Sequence, residues 1–95
     1  MKTSIPKGCE AEAAVFKALG HPARMFIVHQ LGKKDTCVCD LTAMIGLDIS
    51  TVSEHLSVLK RAGIVTSRRQ ANQMIYSLQF RCVLKSADCI AGLKR

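Results

Sequence analysis

The chain has 95 residues, a formal net charge of +7 and an apolar fraction of 48%. This length predicts one domain, residues 1–95, with a modest core that oligomerisation would help to stabilise. No apolar run approaches the roughly 20 residues of a membrane-spanning helix, so no membrane association is expected. The first residues lack the apolar segment of a secretory signal, and five cysteines fit a disulfide framework poorly. We therefore expect a cytoplasmic protein with free thiols.

Basic side chains are concentrated in the last third of the chain. Residues 1–59 contain six basic and six acidic side chains, whereas residues 60–95 contain eight basic and one acidic. This asymmetry indicates a polyanionic partner. Nucleic acid is favoured over a membrane surface because no strongly basic amphipathic helix is present. A solvated face without a partner is the alternative interpretation.

The first two predicted elements are helices. Residues 9–19 are rich in helix-forming side chains and have acidic residues in the first turn. Residues 20–32 predict a second helix, with Pro22 in its first turn and Gly32 at its end.

Two further helices follow, joined by a short turn. A short third helix is predicted over residues 38–46 and a fourth over residues 49–63, which Gly63 ends. The fourth helix has an apolar side that repeats at helical spacing, formed by Val52, Leu56 and Leu59.

The sequence period changes after the fourth helix. Residues 64–69 and 73–78 are short β-prone runs that predict a hairpin. Residues 79–95 return to helical spacing and carry an apolar stripe that would cap the core or face a partner helix. The stripe comprises Phe80, Val83, Leu84, Ala87, Ile90 and Ala91. The predicted fold is therefore mainly α with a β-hairpin, in the order α-α-α-α-β-β-α.

The third and fourth helices, joined by residues 46–48, have the pattern of a helix-turn-helix, whose second helix enters the DNA major groove. The outward face of that helix is small and polar, and Glu54 on it could accept from a cytosine amino group. Basic side chains continue into the hairpin, which would act as a wing on the phosphate backbone. For Ser50 alone, a helix N-cap is an equally good interpretation. The candidate DNA contacts are Ser50, Thr51, Ser53, Glu54, Ser57, Lys60, Arg61, Arg68 and Arg69.

Cys37 and Cys39 lie at the start of the first helix of this unit. Such a pair can bind a soft cation, act as a redox switch or do neither. In an intact helix the two side chains diverge by about 200°. One ion at sulfur distances near 2.3 Å needs them within about 4 Å, so it would distort or cap the first turn. A helix N-terminus favours thiolates, the form that binds soft ions. Movement of this helix would move the second helix of the unit, the recognition helix. It would thereby shift the protein population away from the DNA-bound state.

Four runs of the chain resemble a known family. They are FKALGHPARMFIVHQL, CVCDL, STVSEHLSVLKRAGIV and MIYSL, together spanning roughly residues 15–80. They are similar to the ArsR/SmtB family of prokaryotic metalloregulators. The resemblance implies a winged helix-turn-helix homodimer joined through its first and last helices. It also implies a repressor that binds operator DNA and is released by an inducer, with no enzymatic activity and no organic cofactor.

The resemblance also implies a ligand set. In arsenic repressors CVCDL is commonly followed by a further cysteine, where this chain has Thr42. Related cadmium and lead sensors complete the site with cysteines from the N-terminal arm of the other subunit. The implied site is trigonal, formed by Cys37 and Cys39 of one subunit and Cys9 of the other. Arsenite or antimonite is the expected inducer, because tetrahedral zinc would normally need a fourth ligand; cadmium or lead is the alternative.

Other interpretations of the thiols stay open at this stage. A redox or persulfide switch would use Cys9, Cys82 or Cys89, although Cys82 and Cys89 are better explained as small buried apolar side chains. A thiol-disulfide enzyme is disfavoured because the chain lacks the alternating strands and helices of a thioredoxin-like fold. The three histidines form no spaced cluster and are expected to be structural or on the surface; they are His21, His29 and His55.

Overall fold

The computed structural model describes residues 4–93 and confirms the predicted order of elements. The helices and strands are α1 Lys7–Leu19, α2 Pro22–Lys33, β1 Thr36–Cys37, α3 Val38–Ile45, α4 Ile49–Arg61, β2 Val65–Gln70, β3 Gln73–Leu78 and α5 Cys82–Gly92. Strand β1 was not predicted. It adds to the hairpin and makes an antiparallel sheet with the strand order β1-β3-β2.

The core lies between α2, α3, α4 and the start of β2. The predicted inward side of α4 is confirmed, since Val52, Leu56 and Leu59 are fully buried. Burying one such side chain stabilises the fold by about 1.5–3 kcal/mol. The other fully buried side chains are Ile27, Val28, Leu31, Leu41, Ile64 and Val65.

Two glycines end helices where the backbone needs positive φ. Gly46 follows α3 with φ 83°, and Gly63 follows α4 with φ 79°. The amide of Gly63 donates to the Lys60 carbonyl and the amide of Ile64 to the Leu59 carbonyl, both at 3.0 Å. This is the Schellman arrangement that satisfies the last carbonyls of a helix. It turns the chain from the recognition helix into the wing.

Gly32 has a different role from the predicted one. It does not end α2, which continues to Lys33. A Cβ at Gly32 would lie 2.7 Å from Cδ1 of Leu84 on α5. The glycine is therefore explained by the close packing of α5 on α2 and not by a helix stop.

Only part of the apolar stripe on α5 and just before it is covered by its own chain. Val83 is buried, but Phe80 and Ile90 are 47% and 55% exposed, and Phe16 on α1 is 59% exposed. A largely apolar cavity of about 360 Å³ opens between α1, α2 and α5. Within residues 4–93, no helix combines the length and apolar character needed to span a membrane.

Candidate nucleic-acid interface and thiol site

The recognition helix α4 is capped by Asp48. Oδ2 of Asp48 accepts from the Thr51 amide at 3.3 Å, and the Thr51 hydroxyl donates to Oδ1 at 2.6 Å. These hydrogen bonds from Thr51 lower the pKa of Asp48. Ser50 is the second residue of α4 and is exposed, so the alternative interpretation of Ser50 as the N-cap is wrong. The cap was readable in the sequence, because an aspartate directly before a periodic apolar run is a common start signal.

The predicted DNA-contacting residues of α4 lie on its outer side. Except for the half-buried Thr51, they are exposed, and four of them line one shallow surface depression: Glu54, Ser57, Lys60 and Arg61. Nζ of Lys60 donates to the Ser67 hydroxyl of β2 at 2.7 Å. This hydrogen bond joins the end of the recognition helix to the wing.

The two basic residues of the wing are both exposed but differ in their contacts. Nη1 of Arg68 donates at 3.0 Å to Oδ2 of Asp35 and to the Ser77 hydroxyl. Hydrogen bonding by Ser77 and Arg68 lowers the pKa of Asp35. Sequence reasoning missed Asp35, because it lies 33 positions from Arg68 and only the sheet brings the two together. Arg69, one residue further along β2, is exposed.

Cys37 and Cys39 lie at the junction between β1 and α3. Cys37 is the N-cap of α3, with φ −79° and ψ 158°, and its Sγ accepts from the Asp40 amide at 3.4 Å. It is only 6% exposed, whereas Cys39, the second residue of α3, is exposed. Because Cys37 stands outside the helix, the divergence of two side chains within one helix does not describe this pair. An ion that takes both sulfurs has to reach one buried and one exposed side chain.

Cys9 is the third residue of α1 and is exposed. Among residues 4–93 of one chain, no three His, Cys, Asp or Glu side chains converge as a metal site. Cys9 therefore does not join Cys37 and Cys39 within a single chain, and a site between two subunits stays a prediction. Thr42, at the position where arsenic repressors commonly have a further cysteine, donates its hydroxyl to the Val38 carbonyl at 2.7 Å.

The two cysteines of α5 are both exposed. The prediction that Cys82 and Cys89 are small buried side chains is therefore wrong for the chain by itself. The apolar stripe occupies the other side of α5, so the core side of the helix has no place for them.

Folding brings together two of the three histidines. The rings of His21 and His55 have centroids 4.4 Å apart, although the residues lie on different helical segments. Nε of Arg24 donates to Nδ1 of His55 at 3.2 Å, and Nδ1 of His21 accepts from the Ala23 amide at 3.1 Å. Burial, with the neighbouring charges of His21 and Arg24, lowers the pKa of His55. Both Nδ1 atoms are occupied by protein donors, which favours a structural role between α2 and α4 over metal binding.

Residues 21–67 match the family described as "Bacterial regulatory protein, arsR family". An uncharacterized HTH-type transcriptional regulator of Mycobacterium tuberculosis, Rv0081, is 46% identical over 68 residues, which are 70% of this chain and 60% of that protein. The chain thus spans less than two thirds of that regulator. The HTH-type transcriptional regulator YgaV of Escherichia coli is 36% identical over 80 residues, covering 83% of this chain and 81% of YgaV.

Solved structures of similar proteins superpose on nearly the whole chain. The crystal structure of Rv0081 superposes with a TM-score of 0.82 at 36% identity, covering 95% of this chain and 90% of that one. The crystal structure of NolR from Sinorhizobium fredii superposes with a TM-score of 0.84 at 29% identity, covering 98% and 96%. Both structures thus share the fold over at least 95% of this chain.

Proposed function

Because the chain belongs to the arsR family of bacterial regulatory proteins, we propose that it is a cytoplasmic transcriptional repressor that trivalent arsenic or antimony releases from operator DNA. Its relatives are transcriptional regulators and not enzymes. The observation that carries the proposal is the position of Cys37, which is at once the last residue of β1 and the N-cap of the first helix of the helix-turn-helix.

DNA binding is supported by the polar outer side of α4 and by the cations that follow it. Small hydroxyl side chains near the start of a recognition helix can reach base edges, and lysines and arginines beyond it can contact phosphates. The hydrogen bond between Lys60 and Ser67 links the end of α4 to the wing. The two elements would thus approach one duplex as a unit.

A homodimer is supported by the apolar surface that α1 and α5 leave uncovered. Phe16, Phe80 and Ile90 are each about half exposed, and the cavity between α1 and α5 is largely apolar. Large exposed apolar patches rimmed by polar residues mark interaction sites. Covering this patch with the same patch of a second copy would make an isologous interface. The two recognition helices of such a dimer would need to lie about 34 Å apart to enter successive major grooves on one face of a duplex.

The thiol pair supports a soft, thiophilic ion as the inducer. Cysteine thiolates select soft ions, and three of them suit a trigonal ion such as trivalent arsenic or antimony. Cys39 is exposed and available for first contact, and capture of Cys37 would replace its hydrogen bond with the Asp40 amide. In this proposal Cys9 of the partner supplies the third sulfur. Cadmium or lead on the same thiols is the alternative.

The ligand set is tested by ultraviolet sulfur-to-metal charge-transfer absorption during titration with antimonite. We expect two ions per dimer in the wild type and loss of the band in Cys37→Ser. Cys89→Ser is the matched control and should titrate normally. A full band in Cys37→Ser would contradict the proposal.

Subunit mixing tests whether the site lies between subunits. One subunit carries Cys9→Ser, and the other carries Cys37→Ser with Cys39→Ser. A mixed dimer then has one complete intersubunit site, although neither parent homodimer has any. We expect the charge-transfer band to return on mixing at one ion per dimer. A Cys9→Ser homodimer that binds two ions with an unchanged band would show that Cys9 is not a ligand.

A thiol redox or persulfide response is the second candidate, and one observation favours it. Cys9, Cys82 and Cys89 are all exposed and thus accessible to oxidants or reactive sulfur species. Mass spectrometry after mild oxidation, combined with a DNA-binding assay, separates the two functions. A defined disulfide between subunits that forms together with DNA release would favour the redox response. DNA release by antimonite under reducing conditions would favour the ion.

A further inference from the structure

The three-stranded sheet aligns the proposed ion ligand with a basic residue of the wing. Cys37 of β1 and Arg68 of β2 are both paired with Ile75 of β3, from its two sides. Paired residues in antiparallel strands project to the same face of the sheet. With about 4.8 Å between neighbouring strands, Cys37 and Arg68 lie about 10 Å apart in one row. A displacement of β1 at Cys37 would therefore act on β3, the strand of the wing that lies between Cys37 and Arg68.

A direct contact already joins the residue before β1 to β2, across β3. Asp35, two residues before Cys37, accepts from Nη1 of Arg68 at 3.0 Å, and the same nitrogen donates to Ser77 of β3. Among the described residues this is the ion pair that links the thiol segment to the wing. Arg68 has five guanidinium hydrogens, so it can keep this contact and still donate to a phosphate.

The strand that bears Cys37 is short and fixed at one end. The Thr36 hydroxyl donates to the Lys34 carbonyl at 2.9 Å and accepts from Gln30 of α2 at 3.3 Å. Beyond Thr36, the pairing of β1 with β3 rests on Cys37 alone. Drawing Cys37 towards Cys39 would remove one of the two register positions of β1. The backbone at Asp35, two residues before Cys37, would then be held against β3 through Thr36 alone.

We propose that Asp35 is a positioning residue that couples the thiol site to DNA affinity by holding Arg68 of the wing. In the ion-free protein the Asp35–Arg68 pair holds Arg68 where the wing would contact the DNA phosphate backbone. Ion capture by Cys37 and Cys39 shifts β1, breaks the pair and releases Arg68. This route rests on the proposed function and acts in parallel with the packing of α3 on α4.

The expected effect of the Asp35–Arg68 pair on DNA affinity is limited because both side chains are exposed to solvent. Asp35 and Arg68 are 47% and 51% exposed. An exposed ion pair changes an equilibrium by up to about fivefold, hence by up to about 25-fold for the two pairs of a dimer. Allosteric coupling in proteins typically amounts to about 5- to 150-fold, so this route carries part of the response and α3 the remainder.

The test compares Asp35→Asn with Asp88→Asn, the same charge change on α5. The operator is first selected from a random duplex library with the ion-free protein. The measured quantity is the ratio of operator Kd with antimonite to Kd without it. A ratio is used because loss of a negative charge near DNA raises the affinity with and without antimonite, and this common effect cancels in the ratio. We expect Asp35→Asn to reduce this ratio between about twofold and 25-fold. Asp88→Asn should leave it unchanged.

Two further readouts separate the possible failures. Hydrogen exchange in residues 73–78 of the wild type should accelerate when antimonite binds, because β3 loses its pairing with β1. The charge-transfer band of Asp35→Asn should equal that of the wild type. An intact band with an unchanged ratio, or with unchanged exchange in β3, overturns the role of Asp35 and leaves the ion site standing. A wild-type protein without the band overturns the proposed function and this coupling with it.

Discussion

Replacing Arg69 with glutamine should reduce the salt dependence of DNA binding by an amount that can be calculated. The end of α4 and strand β2 together present four exposed cations, Lys60, Arg61, Arg68 and Arg69. If each contacts one phosphate, a dimer makes eight contacts. At about −0.9 per contact, log K against log salt then has a slope of about −7. Affinity would fall roughly 10⁴-fold between about 50 and 200 mM salt.

The Arg69→Gln dimer loses two of these contacts, so its slope should be smaller in magnitude by about 1.8. Phosphate contacts do not depend on sequence, so fluorescence anisotropy with a labelled mixed-sequence duplex measures the slope without the operator. Lys85→Gln makes the same charge change on the exposed surface of α5 and serves as the control. An unchanged slope in Arg69→Gln, or an equal reduction in Lys85→Gln, would refute the assignment of the wing to the phosphate backbone.

Three predictions concern stability, each measured by urea unfolding at fixed protein concentration. Leu56→Ala should cost about 2–5 kcal/mol because Leu56 is fully buried, whereas the exposed Ser57→Ala should be nearly neutral. Gly63→Ala should cost about 1 kcal/mol or more at φ 79°, but Gly8→Ala, which meets no neighbouring atom, should stabilise α1. Burial lowers the pKa of His55 below its usual 6.5, so its contribution is complete above that pH and is lost as pH falls through the folded pKa. The stability difference between wild type and His55→Gln should therefore shrink from pH 7.5 to 5; a constant difference would contradict the assignment.

The sequence was most informative where a feature repeats along the chain. Val52, Leu56 and Leu59 recur at helical spacing, and this periodicity predicted both α4 and the side that it buries. The placement of the exposed polar side of α4 followed from the same geometry. Gly63 was readable because positive φ after a helix strongly favours glycine.

Features that depend on distant pairing were not readable. Strand β1 has only two residues, too few to show an alternating pattern, and exists because β3 has a free edge beside α3. The Asp35–Arg68 pair and the His21–His55 contact join positions 33 and 34 residues apart. Gly32 was interpreted as a helix stop. The side chain that excludes a larger residue there, Leu84, lies on another helix and could not be identified from the sequence.

The thiol pair was predictable from the sequence in one respect and not in another. Its spacing indicated a soft-ion site, but the sequence could not show that Cys37 would be the buried N-cap and Cys39 the exposed residue. In the proposed function, the ion has to reach the buried Cys37, which borders both β1 and α3.

Release of DNA by arsenite is the most direct test of whether Cys37 and Cys39 couple a thiophilic ion to DNA affinity. Anisotropy of a labelled operator complex is followed during arsenite titration, under reducing conditions, for the wild type, Cys37→Ser and Cys89→Ser. We expect the wild type and Cys89→Ser to release DNA at the same arsenite concentration, and Cys37→Ser to retain it. Release of Cys37→Ser at the wild-type concentration would contradict this coupling.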